Sequence, residues 1–598
     1  MEILDKLSEG YDIKNLNIKD LEKLCAEIRA TVIETVKRCG GHLSSNLGSV
    51  ELTVALFYVF DFPKDRLIFD VGHQSYAYKI LSGRLSRMET IRKKDGLSGF
   101  PDPTESEYDA FSVGHAGTSV AAGLGYCYSR DKLGEDYFVI DLVGDASMFN
   151  GENLEAISAD NKKPRKFLVI LNDNGMSIGK NNNGMYKIVS KITVTKRYNA
   201  FNDFLGRTIG KSFIGKWLRK FKKFLKRSMS PNTFVDGLGL KYAGIFDGHD
   251  LKTLIKVLKN VKESENPTLL HVKTIKGKGY KEAEENACKF HGVGKNFCES
   301  NNFFSDSVSG ILNEIYLEND KITAITAGMK DGVGLSGFEK EHPDAVLDVG
   351  IAEEYAVTLA AGMAISGTRP IVFIYSTFLQ RAYDQIVHDV CLQNLPVIFC
   401  IDRAGLVGSD GKTHQGVFDL SYLGHIPNLT IIAPKNANEL KAAIKVALEK
   451  GTPVAIRYPN GAHVEIKDNN PLTSSLSWEV IKSGKKNVIF AVGARMISLA
   501  ERVSEIENGK VTVINARVIK PLDFNILEKY KSDNIITLEE NVTSGGFGAA
   551  VLKYYNDNGI NAKVTVMGVK DKFISHASVD EQLEENGLTA DDVLSALK

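Results

Sequence analysis

Asp145 and Asn174 each follow an apolar run. Gly144-Asp145-Ala146 comes after residues 138–143, and Asn172-Asp173-Asn174 comes after residues 167–171. Such runs predict buried parallel strands. The two polar tips then project from the same edge of a sheet, where α/β folds bind ligands. A carboxylate and an amide carbonyl are hard oxygen donors that suit Mg²⁺, an ion usually shared with phosphate oxygens. A Gly-Asp pair at a strand end is also ordinary turn chemistry, so the pair alone does not decide. A third landmark is Glu353, in Val349-Gly-Ile-Ala-Glu353-Glu354-Tyr355. It stands near a strand end and just inside a helix, where the helix dipole favours a negative charge.

The elements that must position these groups alternate strand with helix, which argues for parallel sheets. In the first part of the chain, 66–71 reads as a strand ending in Gly72-His73-Gln74, and 117–128 reads as a small-residue helix suited to close packing. A second unit has strands at 322–327, 345–348, 371–375, 397–401, 429–433 and 454–457, with helices between them at 379–393 and 436–449. Residues 467–477 read as a linker. A third, smaller unit has strands at 488–492, 511–515, 535–539 and 564–567. Residues 180–232, rich in Asn and Lys, read as a long insertion. Within it, 211–227 gathers Ile214, Trp217, Leu218, Phe221 and Phe224/Leu225 on one helical face opposite a basic one. Such a helix can lie on a membrane surface. The favoured reading is a solvated helix whose apolar face packs on its own domain or on a partner subunit.

With 598 residues the chain has room for several domains. Its 74 basic and 74 acidic residues balance, so nothing in the charge argues for nucleic-acid binding. The seven cysteines form no CxxC pair, which predicts a reducing, cytoplasmic setting without disulfides or a zinc site. The first residues lack the pattern of a signal peptide. No apolar run approaches the ~20 residues of a membrane span, so no integral membrane contact is expected.

Longer motifs are more specific than the metal pair. They are Gly40-Gly-His42-Leu-Ser-Ser-Asn-Leu-Gly48, Asp70-Val-Gly-His73-Gln, Lys79-Ile-Leu-Ser-Gly-Arg84, Gly114-His115-Ala116, Asn172-Asp-Asn-Gly-Met-Ser-Ile178, Phe246-Asp-Gly-His249-Asp and Lys276-Gly-Lys-Gly-Tyr280. The second unit adds Tyr375-Ser-Thr-Phe378-Leu-Gln-Arg381-Ala-Tyr-Asp-Gln385, Asp402-Arg403-Ala-Gly and Asp410-Gly-Lys-Thr-His414-Gln-Gly. On these residues the chain resembles the 1-deoxy-D-xylulose-5-phosphate synthase family of transketolase-like, thiamine-diphosphate enzymes.

The resemblance implies three consecutive α/β domains. Two would be thiamine-diphosphate-binding parallel-sheet domains, at 1–310 (with the insertion) for diphosphate and Mg²⁺ and at 311–475 for the pyrimidine. A transketolase C-terminal-like domain would follow at 476–598. The implied reaction condenses pyruvate with D-glyceraldehyde 3-phosphate and releases CO₂. It opens the methylerythritol-phosphate route to isoprenoids and also feeds thiamine and pyridoxal phosphate synthesis. A homodimer is expected, with the first and second units pairing within one chain.

Residue by residue, the resemblance implies Asp145, Asn174 and the Met176 carbonyl as Mg²⁺ ligands. Gly114, His115, Ala116, Ala146, Ser147 and Tyr280 would contact the cofactor, and Phe378 would stack on its pyrimidine with Arg381 nearby. Glu353 would face the pyrimidine ring nitrogen and drive the ring to its imino tautomer, while the cofactor supplies the carbanion chemistry. His42, His73 and His414 would surround the reacting carbons, with acid, base and orienting roles undivided. Tyr375, Arg403 and Arg457 would hold the substrate phosphate, and Asp410 an acceptor hydroxyl. His249 and His291 carry no assigned role, and structural duty is favoured for both.

The chain departs from the family pattern in four places. Glu354-Tyr355 follow the key glutamate where Gln-His is usual, Tyr78 replaces a His, Ala146 a Gly and Gly117 a Ser. These put rate and acceptor preference in question. The alternatives are a transketolase or another thiamine-diphosphate 2-oxoacid enzyme, and a non-catalytic paralogue.

Overall fold

The computed structural model describes residues 2–159, 163–175, 235–298, 303–461 and 470–598. The insertion at 180–232, its basic helix and Met176 lie outside the described residues. Two compact units are present: residues 1–91 with 96–298, and residues 92–95 with 299–598.

The first unit is built on β1 (Arg66–Phe69), β2 (Val139–Gly144), β3 (Phe167–Asp173), β4 (Lys241–Asp247) and β5 (Thr268–Lys273). They form a parallel sheet in the order β1-β2-β3-β5-β4. Strands β2 and β3 are buried almost throughout, as apolar runs covered on both faces require. The helix Ser119–Leu133 packs on β2, and Gly123 permits its close approach. A Cβ there would fall 2.4 Å from the Asp141 carboxylate. The helix Ile18–Cys39 starts at Asn17, whose side chain accepts from the Asp20 amide (3.1 Å), and ends at Gly40, where φ is +74°.

The second unit holds two sheets. The larger comprises β6 (Ile322–Thr326), β7 (Val346–Asp348), β8 (Arg369–Tyr375), β9 (Ile398–Asp402), β10 (Thr430–Ile432) and β11 (Val454–Arg457), joined at one edge by β15 (Val518–Lys520). Its order is β15-β10-β11-β9-β8-β6-β7, and only β15 is antiparallel. The smaller sheet comprises β12 (Glu479–Lys482), β13 (Asn487–Ala491), β14 (Val511–Asn515), β16 (Asn534–Val542) and β17 (Lys563–Val569), in the order β12-β14-β13-β16-β17. The helix expected at 379–393 is instead an interrupted helical stretch. A short α-turn at Ser376–Leu379 gives way to a tighter turn at Gln380–Ala382 and a wide π-turn at Ile386–Cys391. Among the described residues no helix is long and apolar enough to cross a membrane.

Candidate active site

In the first unit, Gly144 of β2 lies opposite Asn172 of β3, so Asp145 and Asn174 emerge from neighbouring strand tips. Asp145 opens the short helix Asp145–Met148 that also carries Ala146 and Ser147. Its Oδ1 accepts from the Ala146 amide (2.9 Å), while Oδ2 is buried with no hydrogen-bond partner. Burial and the neighbouring Asp173 charge push this carboxyl up to about 7. Asp173 is held in turn. Its Oδ2 meets His271 Nε2 (2.9 Å), whose Nδ1 meets the Tyr242 hydroxyl (2.8 Å), and its Oδ1 accepts from the Gly175 amide (3.1 Å). Thr274 Oγ1 donates to Asn172 Oδ1 (2.6 Å), which fixes the β3 tip. A buried, unpartnered carboxylate oxygen beside an asparagine on a rigid turn is a donor set that fits a hard divalent cation.

Around this corner the loops are tied to side chains. Asp70, just past β1, accepts from the Gly117 amide (2.9 Å) and the Ser119 hydroxyl (2.8 Å), and so fixes the turn that follows Gly114-His115-Ala116. Asn46 Nδ2 donates to the carbonyls of both His42 and His73 (2.7 Å each), and its Oδ1 accepts from the Tyr76 amide (2.8 Å). The rings of His42 and His73 lie 5.6 Å apart, and Phe100 meets His42 edge-on at 5.5 Å. His291 completes a cluster at 5.6 Å from His42 and 5.2 Å from His73. Burial, then the Lys276, His73 and His42 charges, hold His291 well below the ordinary histidine range, so its ring is neutral.

Lys276 is buried nearby, and burial brings its ammonium down to about 8. The turn from Ile275 to Tyr280 is anchored from behind. The Ile275 amide donates to His249 Nε2 (2.9 Å), so His249 carries its proton on Nδ1 and donates to Glu51 (3.0 Å). Arg29 holds the other Glu51 oxygen (2.7 Å). Tyr280 is wedged edge-on against Phe290 at 5.7 Å. Sequence reasoning assigns no ligand role to His291, His249, Asn46 or Asp70. His249, Asn46 and Asp70 lie inside the quoted motifs, which was the available signal, whereas His291 lies eleven residues past Tyr280.

In the second unit, Glu353 is the first residue of the helix Glu353–Ile365 and is 3 % exposed. Burial raises its carboxyl above the ordinary value, and the Arg381 guanidinium, 3.5 Å away, opposes that rise. Tyr375 ends β8, and Phe378 follows in the turn with its ring stacked at 5.8 Å from Tyr375. His414 meets Phe378 edge-on at 5.7 Å. Burial lowers His414 to about 4, and the Thr413 hydroxyl meets its Nδ1 (2.8 Å), so the ring is neutral and oriented. Arg403 lies over the Tyr375 ring, 3.9 Å from its centroid, with its Nε buried and without a hydrogen-bond partner. Its backbone has φ +56°, a strained value for arginine, and its amide donates to Asp402 Oδ1 (2.6 Å). Arg92 pairs with Asp410 (2.5 Å) and with Ser409 Oγ (2.9 Å).

The structure thus gathers Tyr375, Phe378, Arg403, Asp410 and His414 into one cluster. Arg457, expected with them, is 4 % exposed and held from the protein side, with Nε on Asp419 (3.0 Å) and Nη2 on the Glu540 carbonyl (3.3 Å).

Comparison with known proteins agrees across the chain. The family described as 1-deoxy-D-xylulose-5-phosphate synthase matches residues 4–274. "Transketolase, pyrimidine binding domain" matches 304–463, and "Transketolase, C-terminal domain" matches 476–593. The chain is 45 % identical to the 1-deoxy-D-xylulose-5-phosphate synthase of Clostridium tetani, over 99 % of this chain and 98 % of that one. The synthase of Clostridium perfringens strain SM101 is 43 % identical, over 100 % and 99 %. That of Carboxydothermus hydrogenoformans is 44 % identical, over 98 % and 97 %.

Proposed function

The chain belongs to the 1-deoxy-D-xylulose-5-phosphate synthase family, and from that premise we propose that it condenses pyruvate with D-glyceraldehyde 3-phosphate, releasing CO₂, to give 1-deoxy-D-xylulose 5-phosphate for isoprenoid, thiamine and pyridoxal phosphate synthesis. Thiamine diphosphate supplies the carbanion chemistry when bound, taking up the electrons left behind by CO₂. Asp145 and Asn174 would hold Mg²⁺ against the diphosphate, with the Met176 carbonyl as a further ligand. Gly114, His115, Ala116, Ala146, Ser147, His73 and Tyr280 would hold the diphosphate and thiazolium portion. Glu353, Phe378 and Arg381 would hold the pyrimidine. The buried Glu353 carboxyl would hold a proton toward the pyrimidine ring nitrogen.

The imidazoles of His42, His73 and His291 can accept or donate hydrogen bonds at the pyruvate oxygens. His414, neutral and oriented by Thr413, serves the acceptor aldehyde beside Asp410. Arg403 binds the acceptor phosphate. One observation supports this acceptor most directly: Arg403, half-buried, keeps a buried Nε without a hydrogen-bond partner and lies over Tyr375 at the tip of the sheet. Such a group calls for an anion with fork geometry, as phosphate has. A homodimer acting in the cytoplasm is part of the same proposal.

The test supplies pyruvate with glyceraldehyde 3-phosphate and omits cofactor and metal in turn. Formation of CO₂ and the ketose phosphate, dependent on both, is the expected result. Ketol transfer between sugar phosphates without CO₂ would favour a transketolase. No binding of thiamine diphosphate at saturating Mg²⁺ would favour a non-catalytic paralogue.

A further inference from the structure

The loop that carries Arg403, Asp410 and His414 leaves β9 as irregular backbone. Its base is closed where the Gly405 and Gly416 amides each donate to the other's carbonyl (2.7 and 2.9 Å). Buried amide and carbonyl groups between those glycines must find partners elsewhere. One comes from within the loop, as the Val407 amide donates to Gln415 Oε1 (2.9 Å). Further partners come from the C-terminal part of the same unit. Gln582, fully buried, reads Gly408 on both sides: its Oε1 accepts from the Gly408 amide (3.0 Å) and its Nε2 donates to the Gly408 carbonyl (2.9 Å). Nε2 also donates to the Ser575 carbonyl (2.8 Å), which ties Gln582 to its own domain.

Neighbouring contacts act in the same sense. Glu540 Oε1 accepts from the Leu406 amide (3.3 Å), and Arg495, paired with Glu540, donates to the Leu406 carbonyl (3.1 Å). Gly411 has φ +69°, and a Cβ there would stand 2.9 Å from the His576 amide nitrogen. The segment around residue 576 is therefore pressed directly against the loop. Asp410 is two residues from Gly408, and the Gly411 amide returns to the Gly408 carbonyl (3.1 Å). The placement of Gly408 thus propagates to Asp410 and, through the Gly411 carbonyl that accepts from the His414 amide (3.0 Å), to His414.

We propose that Gln582 is a positioning residue for the acceptor substrate: by holding Gly408 at both its amide and its carbonyl it sets Asp410 and His414 for the aldehyde, and the C-terminal domain thereby tunes acceptor recognition without touching the donor half of the reaction. The inference rests on the assignment of Asp410 and His414 to the acceptor. A leucine fills a similar volume and leaves the buried Gly408 amide unmet, with only the Gly411 amide remaining on the Gly408 carbonyl, so the loop must shift to reach water.

The experiment is steady-state kinetics on full-length Gln582→Leu with thiamine diphosphate and Mg²⁺, varying each substrate at saturation of the other. The expected result is a loss of about tenfold or more in kcat/KM for glyceraldehyde 3-phosphate, with KM for pyruvate and the cofactor Kd within about twofold of wild type. Gln582→Asn, which keeps both amide groups one methylene short, recovers part of the loss. If Gln582→Leu does not fold, the same split between acceptor and donor parameters is read on Gln582→Asn. A folded variant with wild-type acceptor kinetics overturns the inference. So does a loss spread equally over acceptor, pyruvate and cofactor. A wild-type chain that makes no ketose phosphate overturns the parent assignment and this inference together, whereas an active wild type with an unaffected variant overturns this inference alone.

Discussion

Arg381 places Nη1 3.5 Å from Oε2 of Glu353, within a cover of protein that leaves the carboxylate 3 % exposed. Burial favours the protonated acid and the guanidinium favours the anion, and the balance still leaves the group above its ordinary value. A buried carboxyl held above its ordinary value is suited to pass a proton to and from a ring nitrogen. Glu353→Gln keeps the shape and removes the proton exchange. Its kcat should fall by about 10²–10⁴-fold, while thiamine diphosphate binding, read by near-UV circular dichroism, stays close to wild type. Turnover within about threefold of wild type would remove Glu353 from its assigned role.

The strand tips were legible because a buried parallel strand is a continuous apolar run, and the residue that ends it is a polar outlier. Asp145, Asn174, Tyr375 and Arg403 all announce themselves that way. Strand β4 was not legible: Lys241–Asp247 is an edge strand, partly exposed along its length, with no apolar run. In β5 the run is broken by His271, which is buried because Asp173 and Tyr242 meet it from two other strands. His291 escaped for a related reason. Its place beside His42 depends on Gly41 and Val293 pairing across some 250 residues, with mutual amide bonds of 2.8 and 2.9 Å. The Asp419 contact of Arg457 was not legible, because a strand-end arginine looks the same in sequence whether or not a buried carboxylate meets it.

On the proposed Mg²⁺ role, Asp145 should set how metal binding depends on pH. Without a cation its carboxyl is pushed up to about 7, so an entering Mg²⁺ must displace a proton below that pH. A folded-state value raised above the unfolded one gives stability that is lost as pH rises through about 7, and the cation restores it there. Apparent Mg²⁺ affinity in the presence of thiamine diphosphate should therefore climb from pH 6 to pH 7 and level off by pH 8, with proton release on binding seen by calorimetry in two buffers. Asp145→Asn should weaken the ion by at least about tenfold and flatten the pH dependence. An unchanged slope in that variant would mean that another group couples to the metal.

Asp141 is a stability liability in the middle of β2. Both carboxylate oxygens are buried without a hydrogen-bond partner, and Gly123 of the covering helix lies directly over them. Burial, then the charge of Asp70, raises the group well above the ordinary aspartate range. A raised folded-state value means that stability is fully present below the unfolded value and declines as pH rises toward the folded one. Asp141→Val, similar in volume and suited to a strand, should stabilise the protein by about 1–3 kcal/mol at neutral pH. The gain in Tm should be larger at pH 7 than at pH 5. A gain that does not grow with pH, or a loss of stability, would show that the carboxyl has a partner in solution.

Arg403 and Arg457 make contacts of different kinds in the same unit, and their variants should separate substrate binding from stability. Arg403 spreads its charge over the Tyr375 ring at 3.9 Å and keeps an unpartnered Nε, so removing it subtracts ligand contacts and leaves few protein groups orphaned. Arg403→Met should raise KM for glyceraldehyde 3-phosphate by about 10–100-fold, the range expected for losing charge-assisted bonds to a phosphate, with Tm nearly unchanged. Arg457→Met strips the cation from Asp419, itself fully buried and also accepting from Ser376 Oγ at 3.1 Å. An uncompensated buried carboxylate costs about 3–5 kcal/mol, so this variant should lose stability first, and its losses should not single out the acceptor. Equal effects of the two substitutions on acceptor KM, at equal stability, would return Arg457 to the substrate site and refute the division drawn from their contacts.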